Sequence, residues 1–225
     1  ILAAVDAGAQ VINISLGGYA TGPVLDAAIE HATRNGALIV AAAGNDQAAQ
    51  LSWPAADPRV VSVGAVDRLE QQVSFSNSGA QLQLTAPGYG VQTAWLDGQR
   101  VQVSGTSASA PVVAGAITAV MSQFPGLTAR EAADLLARTA NDGGAPGADP
   151  AFGRGILNLA TALNRNNATY VDTAISSHAY DAASGQMQVV VQNRSGRSVT
   201  GLTLAIEAGR AAQTQVVPSL TPGET

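Results

Sequence analysis

A serine follows a glycine-hinged turn at the start of an apolar helical run. The segment is Ser104-Gly105-Thr106-Ser107-Ala108-Ser109-Ala110-Pro111. Gly105 suits the turn because a side chain there would block the close approach of a ligand backbone. Ser107 is predicted at a helix N-terminus, where the dipole and free N–H groups favour developing negative charge. This placement suits the nucleophile of a hydrolase; the alternative is that Thr106 or Ser107 only caps the helix.

Two further segments combine an apolar strand-like run with glycines and polar residues. They are Val11-Ile12-Asn13-Ile14-Ser15-Leu16-Gly17-Gly18 and Ala41-Ala42-Ala43-Gly44-Asn45-Asp46. Together with Gly105-Thr106-Ser107 and Pro111, in this order, they resemble the subtilisin-like serine peptidases, or subtilases. More family landmarks follow in order: Trp53-Pro54-Ala55, Val63–Asp67, Phe75–Gly79, Ala86-Pro87-Gly88 and Gly153–Asn158. The resemblance covers residues 1–164.

The resemblance implies hydrolysis of peptide bonds through an acyl-enzyme on Ser107. Asn45 matches the side-chain amide donor of the family's oxyanion hole, and the backbone N–H of Ser107 matches the second donor. An asparagine suits this role because it donates a hydrogen bond without carrying a charge. Sedolisins, which share the motif around the serine, carry an acidic residue at the position of Asn45, so Asn45 favours the subtilases. The alternative is that Asn45 is a turn residue after Gly44.

The same resemblance implies a cleft for a protein or peptide substrate, with one edge near Ser15 and the opposite wall near Gly44. The matched cleft positions are Ser15, Leu16, Gly17, Ala42, Ala43, Gly44 and Ser52. No carboxylate falls at the matched wall or floor positions, so a neutral or apolar side chain is expected before the cut. A cis peptide bond between Trp53 and Pro54 is also expected from the family. The alternative is that these glycines and alanines only pack a tight βα layer.

The family's catalytic aspartate and histidine have no counterpart in this sequence. In the family they precede the Ser-Leu-Gly-Gly segment, and this sequence begins just before it. The only histidines are His31 and His178, and neither matches the family's histidine motif. The sequence is therefore expected to be a fragment of a longer protein, and to lack peptidase activity when expressed alone.

Composition argues against two other classes of protein, those that bind nucleic acids and those that span a membrane. A net charge of −5 argues against nucleic-acid binding, and no apolar run approaches the length of a membrane span. No cofactor is evident and no metal site is predicted. Subtilases often hold structural calcium, but Asp142, Asp149 and Asp181 are scattered and form no dense carboxylate loop. The family implies a secreted, periplasmic or cell-surface protein.

The elements that must position these residues follow an α/β pattern. Apolar runs predict buried parallel strands at Val11–Leu16, Leu38–Ala42 and Val60–Val66. Helical spacing of apolar residues predicts a helix over Val24–Asn35. The alternation of strand, helix and strand implies right-handed βαβ units, hence a parallel sheet between helical layers.

Later segments predict three more helices and a hairpin. Ser107–Phe124 is rich in small residues and is predicted to be buried, with an apolar face that includes Val112. Thr128–Thr139 has Thr128 and Glu131 at the positions of a capping box. The third helix is a short one over Ile156–Leu163. The hairpin is predicted over Ala94–Val103.

The pattern changes to period two after residue 170, as in the alternation of Met187, Val189 and Val191 with polar neighbours. We therefore predict a partial three-layer, parallel-sheet subtilisin-like domain over residues 1–165. A truncated β-sandwich-like module, resembling immunoglobulin-like accessory domains, is predicted over residues 166–225. Two alternatives to the peptidase stay open: a catalytically inactive pseudopeptidase that keeps the cleft, and a cell-surface binding or adhesion protein.

Overall fold

A four-stranded parallel sheet forms the centre of the protein. The computed structural model describes residues 1–208 and 211–222. The strands lie in chain order and are β1 Val11–Ile14, β2 Leu38–Ala42, β3 Val61–Val66 and β4 Leu84–Pro87. β2 and β3 are buried along their whole length, as expected of apolar strands covered on both faces. The predicted α/β class and parallel sheet are confirmed.

Helices cover both faces of this sheet, giving the predicted three layers. The helices are α1 Leu2–Asp6, α2 Pro23–Arg34, α3 Thr106–Gln123, α4 Ala129–Arg138 and α5 Leu159–Leu163. Alternate residues of β2 point to opposite faces. Val40 packs in the cluster with α3, α4 and α5, whereas Ile39 packs with α1 and α2. The helix that carries Ser107 therefore lies on the opposite face from α2.

The capping box predicted for α4 is present. The backbone N–H of Glu131 donates to the Thr128 hydroxyl, and the Thr128 N–H donates to the Glu131 carboxylate. Two free N–H groups at the helix start are satisfied in this way, which fixes where α4 begins.

Three sequence expectations were wrong in detail. β1 is only half-buried, because it lies at the edge of the sheet and pairs with β2 alone among the described strands. Val112 is exposed, since it lies on the side of α3 that faces away from the sheet. The last helix begins at Leu159 rather than Ile156, because Ile156 pairs its backbone with Asn141 instead.

The predicted hairpin beside the α3 start is confirmed. Strands β5 Val91–Ala94 and β6 Arg100–Val103 pair antiparallel, and a short 3₁₀ turn over Leu96–Gly98 joins them. Asp97 and Gly98 both have positive φ, as the sharp reversal requires. The hairpin leads directly into the turn at Gly105.

Two antiparallel hairpins follow the α/β part, confirming the period-two pattern. They are formed by β7 Thr173–Asp181 with β8 Gln186–Asn193, and by β9 Leu202–Ala208 with β10 Ala211–Val217. Gln192 docks the first hairpin on the α/β part: its amide accepts from Asp142 N and donates to Ala140 O. Of the module predicted to run to residue 225, residues 209–210 and 223–225 lie outside the described residues.

Candidate active site

The turn before α3 exposes the Ser107 hydroxyl. Gly105 has a φ of 148°, in the region that favours glycine, and its N–H donates to Gly88 O at 2.8 Å. Gly105 is itself the N-cap of α3, and no side chain caps the helix. The alternative in which Thr106 or Ser107 serves only as a helix cap is therefore wrong. Both hydroxyls are directed to other segments of the chain.

Ser107 and Ser15 are joined by a reciprocal pair of hydrogen bonds. The Ser107 Oγ donates to the Ser15 carbonyl at 3.0 Å, and the Ser15 Oγ donates to the Ser107 carbonyl at 2.8 Å. Asn13 Nδ2 in turn donates to Ser15 Oγ at 3.0 Å. The chain leaving the end of β1 and the start of α3 are thus held together, with the Ser107 side chain exposed between them.

The carboxamide of Asn45 has a fixed orientation. Its Oδ1 accepts from Thr106 N at 2.8 Å and from Thr106 Oγ1 at 3.0 Å. Because a backbone N–H can only donate, the atom facing it must be the oxygen. The Nδ2 group then points away from Thr106 and has no hydrogen-bond acceptor among the described residues. Asn45 is thus tied to the turn that carries Ser107 and is more than a turn residue.

The predicted cleft residues come together around Ser52. Its hydroxyl donates to Ala42 O at 3.2 Å, and its backbone N–H donates to Ala43 O at 2.9 Å. A Cβ at Gly17 would lie 2.5 Å from Ser52 Oγ, so only glycine fits there. Ser52 is 4% exposed, at the bottom of this group.

The remaining cleft positions border this group. The Gly44 N–H donates to Thr106 Oγ1 at 3.2 Å, which ties Gly44 to the serine turn. Leu16 is 72% exposed, between Ser15 and Gly17. The Trp53–Pro54 bond is cis, as expected from the family.

Of the two histidines, only His31 has a described side chain, and it lies far from Ser107. His31 lies on α2, beyond the sheet from α3, and its Nε2 lies 3.4 Å from Asp6 Oδ1. His178 lies on β7, opposite Val189, and its side chain is outside what is described. Among the hydrogen bonds of the described residues, the Ser107 hydroxyl donates only to the Ser15 carbonyl.

Sequence reasoning missed a hydrogen-bonded group beside Asn45. Tyr19 donates its hydroxyl to Asp46 Oδ2 at 2.7 Å and accepts from Asn77 Nδ2 at 2.9 Å. Donation to the Asp46 carboxylate raises the pKa of Tyr19. The signal was present in the landmark Phe75–Gly79, whose polar centre had no assigned role.

Ser107 also lines an open cavity of about 480 Å³ against the β5–β6 hairpin. Its walls include Val91, Val103, Ala108 and Val112, which make them mainly apolar. Among the described residues, no group of three or more metal-binding side chains occurs. No helix of that part of the chain has the length and apolar character of a membrane span.

Comparisons with known proteins agree with this geometry. The sequence model of the Subtilase family matches residues 1–155. Subtilisin DY from Bacillus licheniformis is 35% identical over 159 residues, which cover 69% of this chain and 57% of the relative. The halolysin-like extracellular serine protease Nep from Natrialba magadii is 40% identical over 164 residues, covering 72% of this chain and 30% of the relative.

A solved structure shares the fold. The prenylagaramide maturation protease PagA superposes with a TM-score of 0.66 at 30% identity, over 72% of this chain and 64% of that one. The chain thus spans less than two thirds of each of these relatives. The family match nevertheless covers more than half of the chain and includes Ser15, Asn45 and Ser107. The chain belongs to the subtilase family of subtilisin-like serine peptidases.

Proposed function

We propose that this chain supplies the nucleophile and the oxyanion donors of a serine endopeptidase. The Ser107 hydroxyl attacks the scissile carbonyl and forms an acyl-enzyme, which water then hydrolyses. The Nδ2 of Asn45 and the backbone N–H of Ser107 donate to the oxyanion of each tetrahedral intermediate. The bond from Thr106 N to Asn45 Oδ1 is the observation that carries the proposal. It leaves the Nδ2 donor of Asn45 without an acceptor among the described residues, as a donor to an oxyanion would need to be.

The base that activates Ser107 comes, in this proposal, from sequence outside these 225 residues. A serine alcohol is almost fully protonated at neutral pH and needs a base to become a nucleophile. The acceptor of the Ser107 hydroxyl in the structure is the Ser15 carbonyl, which cannot take up its proton. A histidine oriented by an aspartate would meet this need.

The cleft favours an extended peptide with a neutral or apolar side chain before the cut. Ser15, Leu16 and Gly17 provide one edge for main-chain pairing with substrate. Ala42, Ala43, Gly44 and Ser52 form the specificity pocket on the other side. The nearby Asp46 carboxylate already accepts a hydrogen bond from the Tyr19 hydroxyl. No cofactor takes part in this proposal, and it assigns no residues to structural calcium.

The proposal includes secretion or display at the cell surface. It is supported by the halolysin-like relative, which is an extracellular protease by name. Residues 166–225 would form an accessory β module beside the peptidase domain of residues 1–165.

Covalent labelling tests the proposed nucleophile. We expect a serine-directed fluorophosphonate to label the full-length protein at Ser107, and expect Ser107→Ala to abolish labelling. Ser104→Ala is the matched control, because Ser104 is also exposed and lies in the same turn. The 225-residue chain alone is expected to remain unlabelled, and adding the upstream segment in trans should restore labelling if the two parts dock.

The outcomes separate the alternatives. An unlabelled, folded full-length protein would indicate a pseudopeptidase or binding protein. Robust labelling of the 225-residue chain alone would show that it contains a base. Deleting residues after Asn164 from the full-length protein tests an adhesion role of the β module. The peptidase proposal predicts that hydrolysis survives this deletion.

A further inference from the structure

Asn77 is a fully buried polar residue that lies outside the proposed catalytic group. Its side chain is 0% exposed, in the loop between β3 and β4. Burying a carboxamide is costly unless its donors and acceptors are satisfied. Asn77 meets this condition by bonding to two other segments of the chain. Both segments lead to the specificity pocket.

The bonds of Asn77 enclose Asn45 on both sides. Before Asn45, Gly44 O accepts from Asn77 N at 3.0 Å. After it, Asp46 N and Ala48 N both donate to Asn77 Oδ1, at 2.9 and 3.0 Å. The backbone that carries the proposed oxyanion donor is thus held by one side chain and its own peptide group.

The other end of the carboxamide reaches across to the opposite cleft edge. Because two N–H groups donate to one of its atoms, that atom is the oxygen, and Nδ2 must face Tyr19. Nδ2 donates to Tyr19 OH at 2.9 Å, and Tyr19 OH donates to Asp46 Oδ2 at 2.7 Å. The loop after Gly17 and the loop of Asn45 are therefore closed into one ring of hydrogen bonds.

The backbone at Gly44 packs tightly against the Asn77 side chain, so substitutions at either position disturb the contact. A Cβ on Gly44 would lie 2.2 Å from Asn77 Nδ2, and Gly44 has a φ of 112°. An aspartate at position 77 would keep the two acceptor bonds but would lose the donor to Tyr19 and bury a charge. An alanine would leave two backbone N–H groups without their acceptor.

We propose that Asn77 is a positioning residue that sets the place of the Asn45 amide in the oxyanion hole. This inference rests on the function proposed for Asn45. Asn77 does not touch the reacting atoms. It acts by fixing the main chain on both sides of Asn45 relative to the turn of Ser107. A donor displaced by about 1 Å can lose two orders of magnitude in rate, so such a residue affects the chemical step more than substrate binding.

A double-mutant cycle in the full-length protein tests this role. We expect Asn77→Ala to lower kcat about 10-fold to 100-fold, with a smaller change in KM. In an Asn45→Ala background the same substitution should cost less than about 2-fold in kcat, because the donor that it positions is already absent. A residue with only a structural role would give the same loss in both backgrounds.

Asn193 provides a matched control in the C-terminal part of the chain. It is also an asparagine with 0% exposure, and it donates to Arg197 O and Leu220 O while accepting from Ser195 N. Asn193→Ala should lower the unfolding temperature without lowering the kcat of the folded enzyme. Rates are compared well below both unfolding temperatures, with the active fraction counted by fluorophosphonate titration.

A milder variant decides the matter if Asn77→Ala fails to fold. Tyr19→Phe removes a single hydroxyl from a partly exposed ring, and should lower kcat several-fold only when Asn45 is present. Equal losses with and without Asn45, or an unchanged kcat, would overturn the inference while leaving the peptidase intact. A folded wild type without hydrolysis or labelling would refute the proposed function itself, and the inference with it.

Discussion

In the proposed oxyanion hole the two ends of the Asn45 carboxamide have separable roles, and Asn45→Asp separates them. Aspartate keeps an oxygen in the position that accepts from Thr106 N at 2.8 Å and from Thr106 Oγ1 at 3.0 Å. It replaces the Nδ2 donor with a second oxygen, which cannot donate when ionised. We therefore expect stability to be retained in the full-length protein while the chemical step is lost.

The expected changes in kcat and in folding free energy follow from the hydrogen bonds that each Asn45 variant loses. Loss of one oxyanion donor lowers kcat by about 100-fold to 1,000-fold, or about 2.7–4 kcal/mol. A carboxylate also repels the developing negative charge, so Asn45→Asp should lie at or beyond the upper end. Asn45→Ala also removes the acceptor for Thr106, which is fully buried. That loss should cost about 1–3 kcal/mol of folding free energy that Asn45→Asp does not lose.

The assay measures both kcat and the free energy of unfolding for each variant. Turnover is measured on a chromogenic peptide, with active enzyme counted by titration, and stability is measured by urea unfolding of the serine-blocked protein. Asn164→Asp is the control, because it removes an amide that donates to Ala160 O on the exposed end of α5. The reasoning is refuted if Asn45→Asp keeps more than about a tenth of wild-type kcat, or if both Asn45 variants are equally stable.

Three further predictions concern the cleft and the fold. Gly17→Ala should raise KM and lower the unfolding temperature, because its Cβ would lie 2.5 Å from Ser52 Oγ; unchanged peptide kinetics would argue against this close contact. The hydrogen bond from Arg59 lowers the pKa of the Asp57 carboxyl below its ordinary value of 3.8. The ionised Asp57 carboxylate therefore stabilises the folded protein fully above that pH, and this stabilisation is lost as the pH falls through the lowered pKa. The difference in unfolding free energy between wild type and Asp57→Asn should thus shrink from about pH 6 to about pH 2, and a constant difference would contradict the ion pair. Thr128→Ala should cost about 1 kcal/mol in urea unfolding without changing kcat, since it removes the cap of α4.

The sequence was sufficient to predict the parallel sheet and the turn of Ser107, because both depend on local patterns. Continuous apolar runs predict β2 and β3. Gly105 predicts the turn, and the structure gives this glycine the positive φ that other residues rarely adopt. The half-exposed edge position of β1 could not be predicted in the same way. An apolar strand has the same composition whether it has one neighbour or two, and only the pairing of strands decides its burial.

The long-range bonds of the site were also beyond local reasoning. The reciprocal bonds of Ser107 and Ser15 join residues 92 positions apart, and Asn77 reaches Tyr19 over 58 positions. Hydrogen bonds of this kind follow from how the loops come together, and no spacing in the sequence encodes them. The landmark around Asn77 contributed to the family resemblance, but it did not show which segments Asn77 would connect.

The docking of Gln192 has a consequence for how well the chain near the end of α4 resists proteolysis. To be cleaved, a segment must enter another molecule's cleft in extended form and offer its own main-chain groups for pairing. Near the end of α4, the Gln192 carboxamide occupies Ala140 O and Asp142 N, and Ile156 occupies both backbone groups of Asn141. The bond after Asn141 therefore has no free main-chain partner to offer until this contact opens. The β hairpin in this way protects the start of the glycine-rich and proline-rich loop over residues 142–150 from proteolysis.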